Sequence, residues 1–190
     1  SLNSILLVSG ASKGRDSLAA LLKTGGYLQI ASAFSGSEAR RLLGQNDHSL
    51  ILINTPLPDE LGHDLAVFAA RTTAAGVVLL VKADAADSMA ARVENDGVFV
   101  IAKPLNRQFF FQSLKLAEAS RRRLLTLQGE NLKLQKKVEE IRMIDRAKCV
   151  LIQYQHMTEP QAHRYIEKQA MDRRLTRREI SQEILSIYES

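Results

Sequence analysis

The C-terminal quarter of the chain concentrates side chains suited to gripping phosphate. Arg146, Lys148, Arg164, Lys168, Arg173, Arg174, Arg177 and Arg178 lie there, and four of the arginines fall between Arg173 and Arg178. A guanidinium can hold a phosphate through two parallel hydrogen bonds or stack on an unpaired base, whereas an ammonium acts as a point charge. Such a cluster suits a polyanion whose bases are splayed out, held with an affinity that falls as salt rises. The competing reading is a solvated face neutralised by Glu167, Asp172, Glu179 and Glu183.

Catalytic chemistry is poorly served. There is no Gly-rich phosphate loop, no HExxH pair and no Cys-His arrangement with recognisable context, so neither an enzyme nor a cofactor is expected. A single cysteine, Cys149, excludes an intramolecular disulfide framework and every multi-cysteine zinc pattern, and fits a reducing, cytoplasmic setting. No run approaches the roughly 18 apolar residues that span a bilayer, and no charged n-region with a cleavage site opens the chain.

The net charge of +5 is unevenly placed. Residues 1–104 carry 9 Lys+Arg against 10 Asp+Glu, and residues 105–190 carry 17 against 11, which puts the basic surface in the C-terminal half. At 190 residues there is room for one average domain and a smaller module.

The elements that must position these side chains can be read from periodicity. Apolar runs at Ile5 to Val8, Leu28 to Ala33, Leu50 to Ile53, Val77 to Val81 and Val98 to Ile101 alternate with helical patterns. Continuous apolar strands separated by helices predict a doubly wound α/β domain over residues 1–118, with a five-stranded parallel sheet covered on both faces. Ser35 to Glu38 has capping-box spacing, Gly44 is placed to stop the helix that follows, and Gly25-Gly26 should end a helix begun near Arg15.

From Asn106 to about Tyr154 there is no proline and one glycine, Gly129, which predicts one long helix. Leu124, Asn131 and Val138 fall at heptad position a, and Leu127, Leu134 and Ile141 at d, giving a coiled-coil seam within residues 119–145. Asn at a favours a parallel homodimer in fixed register, although the flanking Glu130, Gln135, Lys137 and Arg142 add no complementary charge pairs. Residues 146–190 then hold two further helix starts, at Thr158-Glu159-Pro160-Gln161 and Thr176-Arg177-Arg178-Glu179, both with capping-box chemistry. Helices from about Glu159 to Met171 and Arg177 to Tyr188 should pack Ala162, Ile166, Ala170, Ile180, Ile184 and Leu185 on Leu151 and Ile152, as a three-helix bundle.

This C-terminal spacing resembles the ANTAR output domain of transcription antiterminators. Ala147, Lys148, Leu151, Ala162, Ala170 and Met171 match the family pattern, mostly at packing positions, while Cys149 replaces a common Gly and His163 a common aromatic. The resemblance implies binding of paired hairpins in a nascent leader mRNA, usually as a dimer, so that a terminator stem cannot form. Lys148, then Arg174, are the RNA contacts it favours, and a sensor that sequesters the regulator is known in the family. A protein-interaction adaptor, in which the basic helical bundle docks an acidic protein, is one alternative; a DNA-binding output is the closest competing nucleic-acid reading, since Leu175 to Glu179 resembles the opening of a helix-turn-helix, but about a dozen residues remain after Arg178 and no recognition helix fits.

Residues 1–118 resemble a response-regulator receiver of flavodoxin-like fold, on Leu57-Pro58, Gly62 and Lys103-Pro104. A working receiver has an acidic pair after the first strand for magnesium, an aspartate after the third as phosphoacceptor and a hydroxyl after the fourth. The aligned residues here are Ser9 and Gly10, Asn54 and Val81, with Lys103 alone retained. An amide is no carboxylate nucleophile and two non-acidic residues hold a hard cation poorly, so a pseudo-receiver is expected. Rescue by Asp16, Asp59 or Asp64 is the remaining route to phosphorylation.

Overall fold

The computed structural model describes residues 4–189 and divides into two compact units, Ser1–Thr126 and Leu127–Ser190. The first contains β1 (Ser4–Ser9), α1 (Ser12–Thr24), β2 (Gln29–Ala33), α2 (Gly36–Leu43), β3 (Leu50–Asn54), α3 (His63–Thr72), β4 (Gly76–Lys82), α4 (Ala86–Val93) and β5 (Phe99–Lys103). The strands form one parallel sheet in the order β2-β1-β3-β4-β5. This is the doubly wound, flavodoxin-like order, whose chain reversal lies between β1 and β3.

Alternation along each strand sorts the core into two layers. Leu6, Val8, Ile51, Ile53, Leu79 and Val81 pack with Ala39 of α2, Leu65, Ala66 and Ala69 of α3, and Val93 of α4. Ile5, Leu7, Leu52, Val78, Leu80 and Ile101 pack on the other face with Leu18 and Leu22 of α1 and with Phe110, Leu114 and Ala117 of α5 (Arg107–Gln155). Gly76 lets α5 approach closely, since a Cβ there would lie 2.7 Å from the Ala117 carbonyl oxygen.

Three local details differ from the sequence reading in an instructive way. α1 starts at Ser12, not near Arg15, because its first turn lacks the cap that would mark it: Ala11 precedes it and makes no side-chain cap bond. β2 begins after Leu28, which is exposed, and most of that strand is uncovered because it is an edge. At α2 the Ser35 hydroxyl caps Glu38 N–H as expected, but the Glu38 carboxylate accepts from Phe34 N–H, one residue earlier than in a capping box.

In the second unit, the C-terminal part of α5 packs with α6 (Glu159–Arg173) and α7 (Arg177–Tyr188). Both capping boxes form, with reciprocal bonds between Thr158 and Gln161 and between Thr176 and Glu179. His156 and Arg174 take left-handed backbone conformations, at φ 54° and 53°, where α5 and α6 end. After α6 the Leu175 N–H donates back to the Ala170 carbonyl, the long bond of a Schellman turn.

The bundle core is Ala147, Val150, Leu151, Ala162, Ile166, Ala170, Ile180, Ile184 and Leu185. Ile152, expected inside, is exposed, and Ala147 and Val150 supply the α5 contact instead. One helical stripe one turn long, at 147, 150 and 151, leaves 152 facing away.

Candidate nucleic-acid interface

Ion pairing separates the eight basic residues of the bundle into two groups. Arg146 pairs with Glu189, Lys148 Nζ lies 2.9 Å from Glu159, Arg173 bonds Glu183 at 3.0 Å, and Arg177 stands 3.8 Å from Glu167. Lys148 is also largely covered, with a side chain only 15% exposed, and its hydrogen bond and then its charge hold the Glu159 carboxyl below its ordinary range. Arg164, Lys168, Arg174 and Arg178 are exposed and unpaired among the described residues.

Two of the grooves on this unit carry basic side chains. One, of about 470 Å³, is lined by Gln155, His156, Met157, Gln161, Arg164, Tyr165 and Lys168, without a carboxylate. The other, of about 370 Å³, includes Lys137, Lys148, His163 and Arg177 but also Glu140 and Asp145. There His163 Nε2 lies 3.1 Å from Glu167. The first groove combines donors, cations and a half-exposed aromatic ring, the set that can hold phosphates and stack a base.

In the first unit, the residues aligned with receiver chemistry form a hydrogen-bonded chain. Asn54 Nδ2 donates to Ser9 Oγ at 3.1 Å, and Lys103 Nζ donates to Asn54 Oδ1 at 3.0 Å and to the Thr55 carbonyl at 2.7 Å. A Cβ at Gly10 would lie 2.6 Å from Pro58 Cδ, so no acidic side chain fits there unless Pro58 moves. Asp59 accepts from the N–H groups of Gly36 and Ser37 at 2.9 and 3.0 Å and so caps α2, away from Asn54. Those bonds hold its carboxyl below the usual range. Asp16 is exposed on α1, and Asp64 neighbours His63 at 3.5 Å. Among the described residues no three His, Cys, Asp or Glu side chains are grouped to hold a metal ion.

Along α5 the heptad seam is bare in the single chain, with Leu127 52%, Leu134 62%, Val138 47% and Ile141 58% exposed. Leu124 is exposed as well, as is Asn131. Among the described residues no helix is long and apolar enough to cross a membrane.

Solved structures share the fold of the first unit. A two-component response regulator from Clostridium difficile superposes with a TM-score of 0.53 at 23% identity, over 60% of this chain and 94% of that one. A response regulator receiver domain from Clostridium thermocellum gives 0.58 at 22% identity, over 65% and 99%. At these identities the likeness establishes the receiver fold alone. Residues 132–185 match the model of the ANTAR domain. The chain thus joins a receiver-type fold to a segment that matches the ANTAR domain. It is 27% identical over 181 residues to the transcriptional regulatory protein PdtaR of Mycobacterium tuberculosis, covering 95% of this chain and 88% of that protein.

Within the ANTAR-matched segment the positions of the family pattern divide as the bundle dictates. Ala147, Leu151, Ala162 and Ala170 are buried, whereas Met171, which matches the same pattern, is 79% exposed. Cys149 is exposed too. Tyr165 escaped the sequence reading and Gln161 entered it only as a capping residue, although 161, 164, 165 and 168 form an i, i+3, i+4, i+7 stripe opposite the buried Ala162, Ile166 and Ala170. Val81, aligned with the receiver hydroxyl, is fully buried in the α2–α4 layer. Strand alternation turns its neighbour Lys82 to the face that carries Asn54 and Lys103, because Lys82 pairs directly with Lys103 across β4 and β5.

Proposed function

We propose that this chain is a transcription antiterminator that binds hairpins in leader mRNA as a coiled-coil homodimer. The carboxylate-free groove of Arg164, Tyr165, Lys168 and Gln161 carries the reading. Arg174 and Arg178 extend the unpaired cationic surface, while Arg146, Lys148, Arg173 and Arg177 chiefly brace the bundle through their carboxylate partners. The Leu127, Leu134, Val138 and Ile141 seam supplies the apolar surface for a second copy, with Asn131 setting register. Control does not run through an acyl phosphate at residue 54: Asn54 has no carboxylate, and its amide already engages Ser9 and Lys103. No catalytic step is assigned, and the input is a ligand, a sequestering protein or assembly itself.

The test is fluorescence anisotropy with a two-hairpin leader RNA at physiological salt. Four phosphate contacts per bundle, and so eight for the dimer on two hairpins, predict that log K falls against log salt with a slope of about −6. The Arg164→Ala/Lys168→Ala pair should weaken binding at least tenfold and flatten that slope, with helicity unchanged. Affinity no greater than for scrambled RNA would replace this reading with a protein-docking role for the bundle.

A further inference from the structure

The receiver site of the first unit has changed the sign of its charge. Ser9, Asn54, Lys82 and Lys103 project from the α1/α5 face at the carboxyl ends of four strands, with Ser9 paired to Asn54 and Lys82 to Lys103 in the sheet register. Lys103 Nζ joins the two pairs through Asn54 Oδ1. The carboxyl ends beside the β1/β3 reversal are where doubly wound sheets take ligands.

No acid answers the two lysines. The ion pairs of this unit, among the described residues, are Arg40–Glu60, Arg41–Glu38, His63–Asp64 and Arg71–Asp96. Burial, and then the neighbouring Lys82 charge, hold the Lys103 ammonium below the ordinary lysine range. Both effects favour the uptake of negative charge.

Neutral donors converge on the same place. Ser9 is 1% exposed, and because its Oγ accepts from Asn54, its hydroxyl proton points away from that amide. The first turn of α1 passes directly over both residues: a Cβ at Gly14 would lie 3.4 Å from Asn54 Nδ2 and 3.6 Å from Ser9 Oγ. That turn holds no acidic residue and Ala11 offers its N–H groups no side-chain acceptor. Arg15 is fixed alongside, donating to the Ser9 carbonyl at 3.3 Å with its guanidinium over the Phe34 ring.

We propose that this site binds a phosphate-class oxyanion reversibly and without a metal ion, between Lys82, Lys103, Ser9 and the first turn of α1. Where a receiver uses carboxylates and magnesium to make a covalent phosphoryl adduct, this unit uses two ammonium groups to hold the anion itself. No bond is made or broken. The ligand is free phosphate or a phosphomonoester, and it would serve as the input to the domain.

Isothermal titration calorimetry of the full chain in EDTA, with inorganic phosphate and with methyl phosphate, tests this. One saturable site per chain is expected, weakened at least tenfold by Lys82→Met and by Lys103→Met and unchanged by Lys115→Met, an exposed lysine of the same unit. Tighter binding of methyl phosphate assigns a phosphomonoester, and tighter binding of inorganic phosphate assigns the free ion. Lys82 is exposed, so Lys82→Met should keep the fold, which circular dichroism checks. Absence of a saturable site, undiminished affinity in Lys82→Met, or a requirement for added magnesium overturns the proposal. The readout is independent of RNA, so either result leaves the hairpin test standing.

Discussion

At the scale of single residues, His48 and Arg174 have consequences that can be measured. Both ring nitrogens of His48 are buried without a hydrogen-bond partner among the described residues, and burial holds the imidazole below its ordinary pKa of 6.5. A base depressed in the folded state contributes stability that is present above the unfolded value and lost as pH falls through the folded one. The melting temperature of the first unit should therefore fall as pH drops below about 6.5, and His48→Leu should flatten that dependence in a calorimetric pH series. The carboxyls held low, Asp59, Glu159, Glu179 and Glu183, act only below about 4.5, which keeps the two effects apart. Arg174 occupies a left-handed turn that costs a residue with a Cβ about 1 kcal/mol relative to glycine. Arg174→Gly should raise the bundle's melting temperature and lower RNA affinity, so thermal melts and anisotropy should move in opposite senses.

At the scale of elements, most of the architecture was legible because each helix and strand carries its own local signal. The threonine boxes at Thr158 and Thr176 marked two helix starts to the residue, since the hydroxyl and the returning Gln161 or Glu179 are adjacent in sequence. α1 was misplaced because Ala11 is no cap, and Ile152 was misplaced because an apolar residue beside a helical stripe looks like part of it. The seam on α5 was legible by spacing, and its exposure supports the reading that a second chain covers it. Leu134→Glu, which puts a charge at a central d position, should convert the dimer to monomer in sedimentation velocity while leaving the helicity of each chain intact. RNA affinity should fall with it, through loss of the second bundle.

At the scale of the whole molecule, what the sequence concealed were relations between distant segments. Lys82 and Lys103 are 21 positions apart and become neighbours only in the β4/β5 register, so the linear order, with Val81 at the expected hydroxyl position, hides the second cation. The split of the basic residues into paired and unpaired sets was equally hidden, because Glu159, Glu183 and Glu189 find their partners across helices. The polar residue on the α5 seam bears on the RNA as much as on the protein. If Asn131 enforces a parallel, in-register pair, the two bundles are related by a two-fold axis, whereas successive hairpins of a transcript follow one another along a strand with 5′-to-3′ polarity. Tandem elements can meet a two-fold reader only if the strand between them turns back. The spacer must therefore be unpaired and longer than a threshold: shortening it stepwise should abolish two-site binding abruptly, while lengthening it should weaken binding only gradually, in anisotropy measured across a series of leader RNAs.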